Sequence, residues 1–371
     1  MAELWRFLDL DRVGPYENAA IMPVLVRSVA EKGQPIAQMS VWGDTHLNVG
    51  WFDDVDSTLD LRRCDDLGID VVRRSFFGGG TAYYERECSM MWGFLLPKTD
   101  SGDEGFLDEL IARFQRVFSA ALESLGLGEV QFEGSSDLRW NDRKLGALVA
   151  QDVVACTSVG GFINLKKPDL STYLKVVRIP DDKFKDKAVK DMTEYVCTAE
   201  DVLGSPVSYE QFRDALLGAL AADGIELRIS ELNAGEQKGV SKLSERVRLP
   251  ESIRRISSQQ FRSEAPKDTL IGFGNHKGRK LCRAGVAIDD SDRIAAAMFA
   301  GDMHASPPDI LEQLSSAVVG APAADAPELR TRISKLWDSD MVTQAEESLG
   351  VTTDDLFKAL ETAISSARTQ P

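Results

Sequence analysis

The sequence predicts an α+β fold, in which a mixed sheet flanked by helices is followed by a small α+β accessory unit. Apolar residues recur at helical spacing over Asn18 to Ala30 and again over Glu104 to Leu125. Short runs rich in valine, isoleucine and tryptophan, such as Ile36 to Trp42, alternate with these helices and favour strands. A polar and basic stretch changes to a glycine-containing segment near Pro266, which indicates a domain boundary.

In the N-terminal part, extended segments follow the first helix and surround a group of glycines. Each segment is short and rich in β-branched or aromatic residues, which is typical of strands. These segments are Ile36 to Trp42, Leu47 to Phe52, Asp66 to Phe77 and Met90 to Leu96. The long helix that follows is amphipathic and stops at Gly126, because glycine frequently terminates helices.

Beyond this helix the pattern predicts more strands and one more helix. Val130 to Phe132 and Lys144 to Val154 are expected as strands on either side of a polar turn, Gly134 to Trp140. Phe162 to Leu165 completes this group, and Ser208 to Ala221 has the apolar spacing of an amphipathic helix. The central mixed sheet and its flanking helices are therefore expected within about Met1 to Ser263.

The C-terminal part predicts a small α+β unit and a helical tail. Lys280 to Ile288 and Arg293 to Phe299 are expected as strands joined by the turn Asp289 to Asp292, with a helix over Pro307 to Ser316. An Ala/Pro-rich linker, Ala321 to Pro327, leads to two terminal helices. We therefore divide the chain into three domains, residues 1–263, 264–320 and 321–371.

The charge and the composition exclude several classes of function. The formal net charge is −16 over 371 residues, and such an acidic chain is repelled by nucleic acid and by anionic membrane surfaces. No apolar run is long enough to span a bilayer and Met1 to Asp11 lacks the apolar centre of a signal peptide, so we expect a cytoplasmic protein. Five cysteines without a C-x-x-C pair and three scattered histidines predict neither a disulfide framework, a zinc site nor a histidine triad.

Three consecutive glycines follow a pair of arginines in the segment Arg73 to Tyr84. Glycine has no Cβ atom, so the backbone of Gly78, Gly79 and Gly80 can closely approach a phosphate or a carboxylate, and the two arginines supply matching charge. The spacing fits neither a Walker loop nor a dinucleotide-binding fingerprint. An ordinary glycine-rich turn is the alternative that composition alone leaves open.

A lysine stands at the start of a predicted strand and is followed by small residues. Lys144 precedes Gly146 and Ala147, and a lysine that enters a cleft in this way neutralises charge on a carboxylate and an α-phosphate as one attacks the other. Because lysines are mostly exposed, a surface lysine is the alternative interpretation.

These two segments, in this order and at this separation, resemble the lipoate-protein ligase A family, which belongs with the biotin ligases and the octanoyltransferases. In that family an Arg-Arg-x-x-Gly-Gly-Gly loop contacts the acyl-adenylate, and the family's lysine lies in a Gly-Arg-Lys-x-x-Gly type motif. The matching residues here are Arg73, Arg74, Gly78, Gly79, Gly80 and Lys144. An Asn-Asp pair usually precedes that lysine, and since Ser136-Asp137 stands in its place, only Asp137 is carried over.

The resemblance implies an ATP-dependent, AMP-forming lipoate-protein ligase with its catalytic domain in residues 1–263. Lipoate or octanoate is expected to react with ATP to give an acyl-adenylate, which a lysine of an acceptor protein then attacks. The family's usual acceptors are the lipoyl domains of 2-oxoacid dehydrogenase complexes and the glycine-cleavage carrier protein. Magnesium is expected with the nucleotide, with Asp137 as a candidate ligand. The resemblance extends to the accessory domain, which the octanoyltransferases generally lack.

The sequence departs from the family at two places near the glycines. Tyr84-Glu85 replaces the family's His-Asp pair, and Phe76-Phe77 stands where a small residue is usual. The phenylalanines are either core residues or part of a different acyl pocket. The acyl group therefore stays open among lipoate, octanoate and biotin, since all three present a carboxylate on an apolar chain.

Cys156 supplies the main alternative chemistry. It follows Lys144 at a spacing similar to the lysine and cysteine of the octanoyltransferases, which form an acyl thioester without ATP. The histidine that follows that cysteine in the transferases is absent here, and an inert buried cysteine is the competing interpretation. A third hypothesis is a non-catalytic paralogue that binds an acyl ligand or a lipoyl protein.

Overall fold

Strands and helices alternate along the described part of the chain. The computed structural model describes residues 3–98, 106–134, 137–153, 156–178, 192–344 and 350–369. The strands are β1 (Glu3–Val13), β2 (Ile36–Trp42), β3 (His46–Val49), β4 (Asp70–Arg73), β5 (Ala82–Tyr84), β6 (Ser89–Pro97), β7 (Gln131–Glu133), β8 (Asp137–Trp140), β9 (Arg143–Val153), β10 (Cys156–Asn164), β11 (Ile225–Ser230), β12 (Leu270–Lys277), β13 (Leu281–Ile288), β14 (Ile294–Gly301), β15 (Ala305–Ser306) and β16 (Thr343–Gln344). The helices are α1 (Pro15–Lys32), α2 (Val55–Thr58), α3 (Leu61–Asp66), α4 (Phe106–Ser124), α5 (Leu170–Val176), α6 (Met192–Tyr195), α7 (Ala199–Leu203), α8 (Tyr209–Ala222), α9 (Ala234–Val247), α10 (Pro250–Ile253), α11 (Ser258–Glu264), α12 (Ile310–Val318), α13 (Ala326–Trp337) and α14 (Thr353–Thr369). None of the helices in these ranges is both long enough and apolar enough to cross a membrane.

Eight of the described strands form one mixed sheet. Its order is β11-β1-β2-β6-β10-β9-β8-β7. β1 pairs in parallel with β2 and with β11, whereas the other neighbouring strands are antiparallel. Antiparallel neighbours can be joined by very short turns. The strands β7 to β10 accordingly lie side by side in chain order at one edge of the sheet, and Lys144 is on β9 among them.

Helices cover both faces of this sheet. On one face α4 and α8 bury apolar residues against it, and Trp5 contacts Phe94 and Phe114 with ring centroids 5.8 and 6.1 Å apart. On the other face α1 lies against β2, where Met22 Sδ accepts a hydrogen bond from Gln38. The prediction of a mixed sheet flanked by helices is therefore confirmed.

The packing divides the chain into two units that are not contiguous in sequence. The first unit holds the eight-stranded sheet and consists of Met1–Asn48, Tyr83–Lys175 and Ala188–Arg248. The second unit consists of Val49–Ala82, Val176–Lys187 and Leu249–Pro371. The predicted functional domains, 1–263, 264–320 and 321–371, remain a prediction, and the packing units follow different bounds.

The second unit contains the small α+β arrangement predicted for the C-terminal part. β12, β13 and β14 form an antiparallel sheet, and the helices α12 to α14 share a hydrophobic core with it. Gly272 and Gly274 of β12 approach α14 so closely that a Cβ atom on either glycine would lie within 2.3 Å of a backbone atom of Ala363. The accessory strands and the terminal helices therefore belong to one packed body.

Only part of the segment from Gly134 to Trp140 matches the predicted polar turn. Gly134 lies in a turn, and Ser135 and Ser136 lie outside the described residues. The second half of the segment forms β8 with Leu138 buried, and β8 pairs with β9 through a tight turn at Asn141 and Asp142. These two residues have φ values of 47° and 61°, a left-handed conformation that asparagine and aspartate tolerate better than most residues. The prediction was wrong for Asp137 to Trp140, because the tight turn before β9 is formed by the next two residues.

Candidate active site

Lys144 is held at the start of β9 by an aspartate on the neighbouring strand. Its Nζ lies 2.7 Å from Oδ1 of Asp137, and the two side chains are 26% and 31% exposed. Both residues belong to the β8–β9 hairpin, so the tight turn brings them together. The charge-assisted hydrogen bond fixes the direction of the ammonium group, which suits a lysine that contacts an anion.

The backbone around Lys144 is fixed by its neighbours in the first unit. Its carbonyl oxygen accepts a hydrogen bond from the N–H of Cys197 at 2.9 Å. A Cβ atom at Gly146 would lie 2.3 Å from the carbonyl oxygen of Phe162 on β10. The small residue after the lysine is therefore required by the close approach of β9 and β10, and the sheet determines where the lysine stands.

Arg73 is buried and holds the backbone beside the glycine loop, which we define as residues 73–80. Its Nη1 donates to the carbonyl oxygens of Gly50 and Asp53, at 2.6 and 2.8 Å, and its Nη2 donates to that of Ile253 at 2.7 Å. Its Nε donates to the Ile253 carbonyl oxygen as well. Burial lowers the pKa of Arg73 to about 10, which still leaves it protonated near neutral pH. The side chain thus fixes the start of the glycine loop to the neighbouring backbone segments.

Arg74 is half-buried and bridges the glycine loop itself. Its Nη2 donates to the carbonyl oxygens of Gly78 and Gly80, at 2.8 and 2.7 Å. Its backbone N–H donates to the carbonyl oxygen of Val49 at 2.9 Å. Because one guanidinium group contacts two carbonyls of the same short loop, the conformation of the glycines depends on this arginine.

The glycine loop also contacts the connection after β14, which the sequence did not single out as part of a site. A Cβ atom at Gly78 would lie 1.7 Å from the carbonyl oxygen of Met303, and the N–H of Gly79 donates to that oxygen at 3.1 Å. Gly79 has a φ of 79°, and a Cβ atom there would lie 3.1 Å from Nε2 of His304. The absence of Cβ atoms was the one signal of this close approach in the sequence.

Cys156 lies at the opposite end of the β9–β10 hairpin from Lys144. It pairs with Val153 of β9, whereas Gly146, two residues after the lysine, pairs with Ile163 at the other end of β10. Along β9, at about 3.3 Å per residue, the two ends are roughly 30 Å apart. Burial raises the pKa of Cys156 to about 12, and the negative charge of Asp152 adds to this rise. The thiol is therefore neutral and remote from the lysine.

The other cysteines have the same character. All five cysteines of the chain lie in the described ranges and are buried. Burial raises the pKa values of Cys64, Cys88 and Cys197 to about 11, and it raises that of Cys282 as well. A nucleophilic cysteine needs a lowered pKa, so none of these thiols is a ready thiolate.

A family model supplies the comparison that decides the family. The model described as the lipoyl protein ligase A/B catalytic domain matches residues 14–221, which is more than half of the chain. The chain belongs to this family. The resemblance that the glycine loop and Lys144 suggested is thereby confirmed.

Two curated relatives of the chain are named for different reactions. The chain is 28% identical over 140 residues to octanoyltransferase LipM of Carboxydothermus hydrogenoformans, across 37% of this chain and 51% of that enzyme. It is 25% identical over 180 residues to lipoate–protein ligase 1 of Staphylococcus aureus, across 48% of this chain and 52% of that enzyme. The matched segments thus span about half the length of these relatives.

One solved structure is similar to nearly the whole chain. LipL1 of P. falciparum, in complex with lipoate, has a TM-score of 0.68 at 12% sequence identity. The similarity covers 96% of this chain and 99% of that one. It shows that the fold is shared, and the coverage includes the C-terminal part.

Tyr84, which stands in place of the family's histidine, is a buried aromatic residue of the first unit. Its ring centroid lies 5.1 Å from that of Trp42, 5.6 Å from that of His46 and 5.8 Å from that of Phe162. The side chain is 5% exposed. The position therefore contributes to packing, and the imidazole of this region, His46, lies inside the same aromatic cluster.

The glycine loop has three residues between its arginines and its glycines, one more than the family motif. Phe76 has a φ of 71°, a left-handed conformation that a bulky residue rarely adopts. Its ring centroid lies 5.7 Å from that of Trp51, and Phe76 and Phe77 are half-buried. The contact with Trp51 favours the interpretation of Phe76 as a packing residue.

The described residues do not form a resident metal site. No group of three or more histidine, cysteine, aspartate or glutamate side chains suited to a metal ion is found among them. Oδ1 of Asp137 already accepts the hydrogen bond from Lys144, and the adjacent Ser136 lies outside the described ranges. Magnesium prefers six oxygen ligands and often takes most of them from water and substrate phosphates. The residues present therefore fit a magnesium ion only as a companion of the nucleotide.

Proposed function

We propose that the chain is an ATP-dependent, AMP-forming lipoate-protein ligase. A carboxylate oxygen of lipoate or octanoate attacks the α-phosphorus of ATP, the bond to the bridging oxygen of pyrophosphate breaks, and an acyl-adenylate forms. The amine of an acceptor lysine then attacks the acyl carbon and loses a proton, so that an amide forms and AMP leaves.

The position of Cys156 carries this proposal. The family includes enzymes named as ligases and enzymes named as octanoyltransferases, and the transferase chemistry suggested by the sequence requires a cysteine thiolate near the lysine. Cys156 is a buried thiol with a raised pKa, roughly 30 Å from Lys144 along the hairpin. Activation of the acid by ATP needs no cysteine, which leaves the ligase chemistry as the better fit.

Lys144 is assigned the catalytic role. Its ammonium group neutralises negative charge on the acid and on the α-phosphate as their oxygen atoms approach each other, a barrier that electrostatic stabilisation lowers strongly. Asp137 is assigned a positioning role, since its Oδ1 holds Nζ of Lys144 at 2.7 Å. Fixing the ammonium group before the substrates arrive avoids reorganisation during the reaction.

The glycine loop is assigned to binding of the acyl-adenylate and of ATP. Gly78, Gly79 and Gly80 provide a backbone without Cβ atoms, and Arg74 lies half-buried beside them. Arg73 supports the same loop indirectly, because its nitrogens donate to backbone carbonyls. These assignments follow the family motif residue by residue.

The acceptors proposed are those usual for the family, lipoyl domains of 2-oxoacid dehydrogenase complexes or the glycine-cleavage carrier protein. The chain carries a formal net charge of −16. An acidic acceptor is therefore not drawn to it by long-range attraction, and recognition depends on contacts made after encounter.

The first test is ATP–pyrophosphate exchange by the full chain with lipoate, octanoate or biotin added singly. Exchange that depends on lipoate or octanoate is expected. Pyrophosphate is incorporated into ATP only when an acyl-adenylate forms and then reacts back with pyrophosphate. Lys144→Ala is expected to reduce the exchange rate by about a hundredfold or more, the usual cost of removing one electrostatic contact to a transition state.

A second lysine provides the matched control. Lys98 also pairs with an aspartate in the first unit, with Nζ 3.0 Å from Oδ2 of Asp152, and it is half exposed. Lys98→Ala is expected to leave the exchange rate unchanged. Absence of exchange with every acid, together with octanoyl transfer that Cys156→Ser abolishes, would replace the ligase by the thioester transferase. Binding of lipoate with neither reaction would indicate the non-catalytic paralogue.

A further inference from the structure

A cavity of about 470 Å³ in the second unit is lined by three arginines, and none of its lining residues belongs to the glycine loop. The most buried of the three is Arg283 on β13, which is 5% exposed. Its Nη1 donates to Oδ1 of Asn275 at 3.2 Å, and its Nε is buried without a hydrogen-bond partner. No carboxylate of the described residues forms an ion pair with it. A buried cation without a counter-ion is costly, so this guanidinium group is suited to an anion that enters the cavity.

The two other arginines are exposed and lie at the edge of the same cavity. Arg262 is placed over the ring of Phe273, with Cζ 5.0 Å from the ring centroid. Nη1 of Arg178 donates to the carbonyl oxygen of Asp56 at 2.9 Å, and its Nη2 lies 3.9 Å from Oδ2 of Asp60. These contacts position both guanidinium groups at the cavity and leave further N–H donors on each of them for a ligand.

One carboxylate also lines the cavity, and other groups already neutralise it. Oδ1 of Asp56 lies 3.2 Å from Nη1 of Arg254, while Oδ2 accepts hydrogen bonds from Ser257 Oγ and from the N–H of Gln259. Arg254 does not line the cavity and cancels the charge of Asp56 from outside. The cavity therefore keeps the positive charge of Arg262 and Arg283, while Asp60 partly offsets that of Arg178.

We propose that this cavity binds a phosphate or diphosphate group of a small molecule. A phosphate carries about −1.5 to −2 charges at pH 7, whereas a monocarboxylate carries one, so a phosphate compensates several guanidinium groups better. The planar fork of arginine matches two phosphate oxygens, and the polar side chains of Ser258 and Asn275 line the same space. The proposal does not depend on the function proposed above, because it involves neither Lys144 nor the glycine loop.

The test is calorimetric titration of the full chain with inorganic pyrophosphate, inorganic phosphate and AMP. Pyrophosphate is expected to bind, more weakly as sodium chloride is raised, since the contacts are charged. Arg262→Gln and Arg178→Gln, both at exposed positions, are each expected to weaken binding at this site about tenfold, the loss of one charge-assisted contact. Arg283→Gln is expected to weaken it further. If the affinity for inorganic phosphate equals the affinity for AMP, the natural ligand is free phosphate. If AMP binds more tightly than phosphate, the natural ligand is a nucleotide.

Two controls separate this site from the proposed active site. Arg368→Gln removes an exposed arginine of the same unit that pairs with Asp292, at 2.6 Å, and is expected to leave binding unchanged. Lys144→Ala is expected to retain the binding that the cavity variants lose. Pyrophosphate binding that is equal in the wild type and in the Arg178→Gln Arg262→Gln double variant would overturn the proposal, as would no binding at millimolar pyrophosphate. Either result leaves the exchange assay of the proposed ligase untouched.

Discussion

At the scale of single residues, the contact between Lys144 and Asp137 gives the proposed chemistry its sharpest test. Asp137→Asn keeps the size of the side chain and removes its charge. We expect kcat for adenylate formation to fall about tenfold, because a charge-assisted hydrogen bond is lost from a pair that is partly open to solvent. KM for the acid is expected to change little, since the ammonium group itself remains.

The control for this prediction is Asp137→Glu, which restores a carboxylate and should recover much of kcat. Measurement of the rate at several magnesium concentrations separates the two roles considered for Asp137. If adenylate formation by Asp137→Asn is as fast as by the wild type, the positioning role is contradicted. A variant that needs much more magnesium would instead make Asp137 a metal ligand.

A second residue-scale prediction concerns the reactivity of Cys156. Its pKa of about 12 means that almost no thiolate exists at pH 7.5. Iodoacetamide is therefore expected to leave Cys156 unmodified in the folded chain while it modifies the urea-unfolded chain completely, as read by peptide mass spectrometry. Cys156→Ala should retain adenylate formation. Rapid labelling of the native thiol, combined with an inactive alanine variant, would contradict both the buried state and the ligase proposal.

At the scale of structural elements, glycines mark where two backbones meet. Gly78 faces the carbonyl oxygen of Met303 at a distance that excludes any Cβ atom. Gly78→Ala is expected to lower the free energy of unfolding by about 1–3 kcal/mol, the usual cost of overpacking, and to weaken acyl-adenylate binding because the loop must shift. Urea unfolding and ligand titration measure the two effects.

Gly218 is the matched control for this substitution. It lies in the middle of α8, where a Cβ atom would meet no atom within 4 Å. Gly218→Ala is expected to stabilise the chain by about 0.5–1 kcal/mol, because alanine loses less backbone freedom in a helix. If the two variants had the same stability, the close approach of Gly78 to Met303 would not exist in solution.

Local elements were predicted well from the sequence and distant pairings were not. β2 was predicted with its observed bounds, since apolar β-branched and aromatic residues determine it locally. β1 and β11 were missed, because charged residues interrupt β1 and its pairing joins Glu3 to Ile225 across most of the first unit. The Lys144–Asp137 contact is local to one hairpin and both residues were found. The Met303 contact links segments far apart in the chain, and no periodicity in the sequence reports such a pairing.

At the scale of the whole molecule, one buried ion pair joins the start of the first unit to its end. Arg6 of β1 donates from Nη1 and Nη2 to the two carboxylate oxygens of Glu236 on α9, at 2.8 and 3.0 Å. Ser28 Oγ and the N–H of Asn233 donate to the same carboxylate. Burial raises the pKa of Glu236, but these donors together outweigh it and hold the pKa at about 2.

This pair predicts a specific response of stability to acid. The folded pKa of Glu236 lies below its ordinary value of about 4.5, so the stabilisation is complete above that pH and is lost as the pH falls towards 2. Glu236→Gln is expected to lower the free energy of unfolding by about 3–5 kcal/mol at pH 7, because the buried Arg6 loses the carboxylate that neutralises it. The difference in the free energy of unfolding between the wild type and the variant should become smaller as the pH falls from about 4.5 to 2. Urea unfolding at each pH measures it.

The control for the acid prediction is a surface pair of similar chemistry. Arg332 and Glu328 lie one helical turn apart on α13, both about one third exposed. Glu328→Gln is expected to change the free energy of unfolding by less than about 0.5 kcal/mol. A Glu236 effect that stays constant across the acid range would contradict the lowered pKa.

The contact between the glycine loop and Met303 also has a consequence for the order in which the chain is made. Gly78 and Gly79 leave the ribosome long before Met303, with about 220 residues synthesised in between. At roughly 5–20 residues per second, the loop waits between about 10 and 45 seconds for the backbone that holds it. During that time Gly78 and Gly79 lack the carbonyl oxygen of Met303 that they approach in the folded chain, whereas Gly50 and Asp53, which accept hydrogen bonds from Arg73, have already been made. The glycine loop therefore reaches its native packing only after the chain has been made as far as Met303.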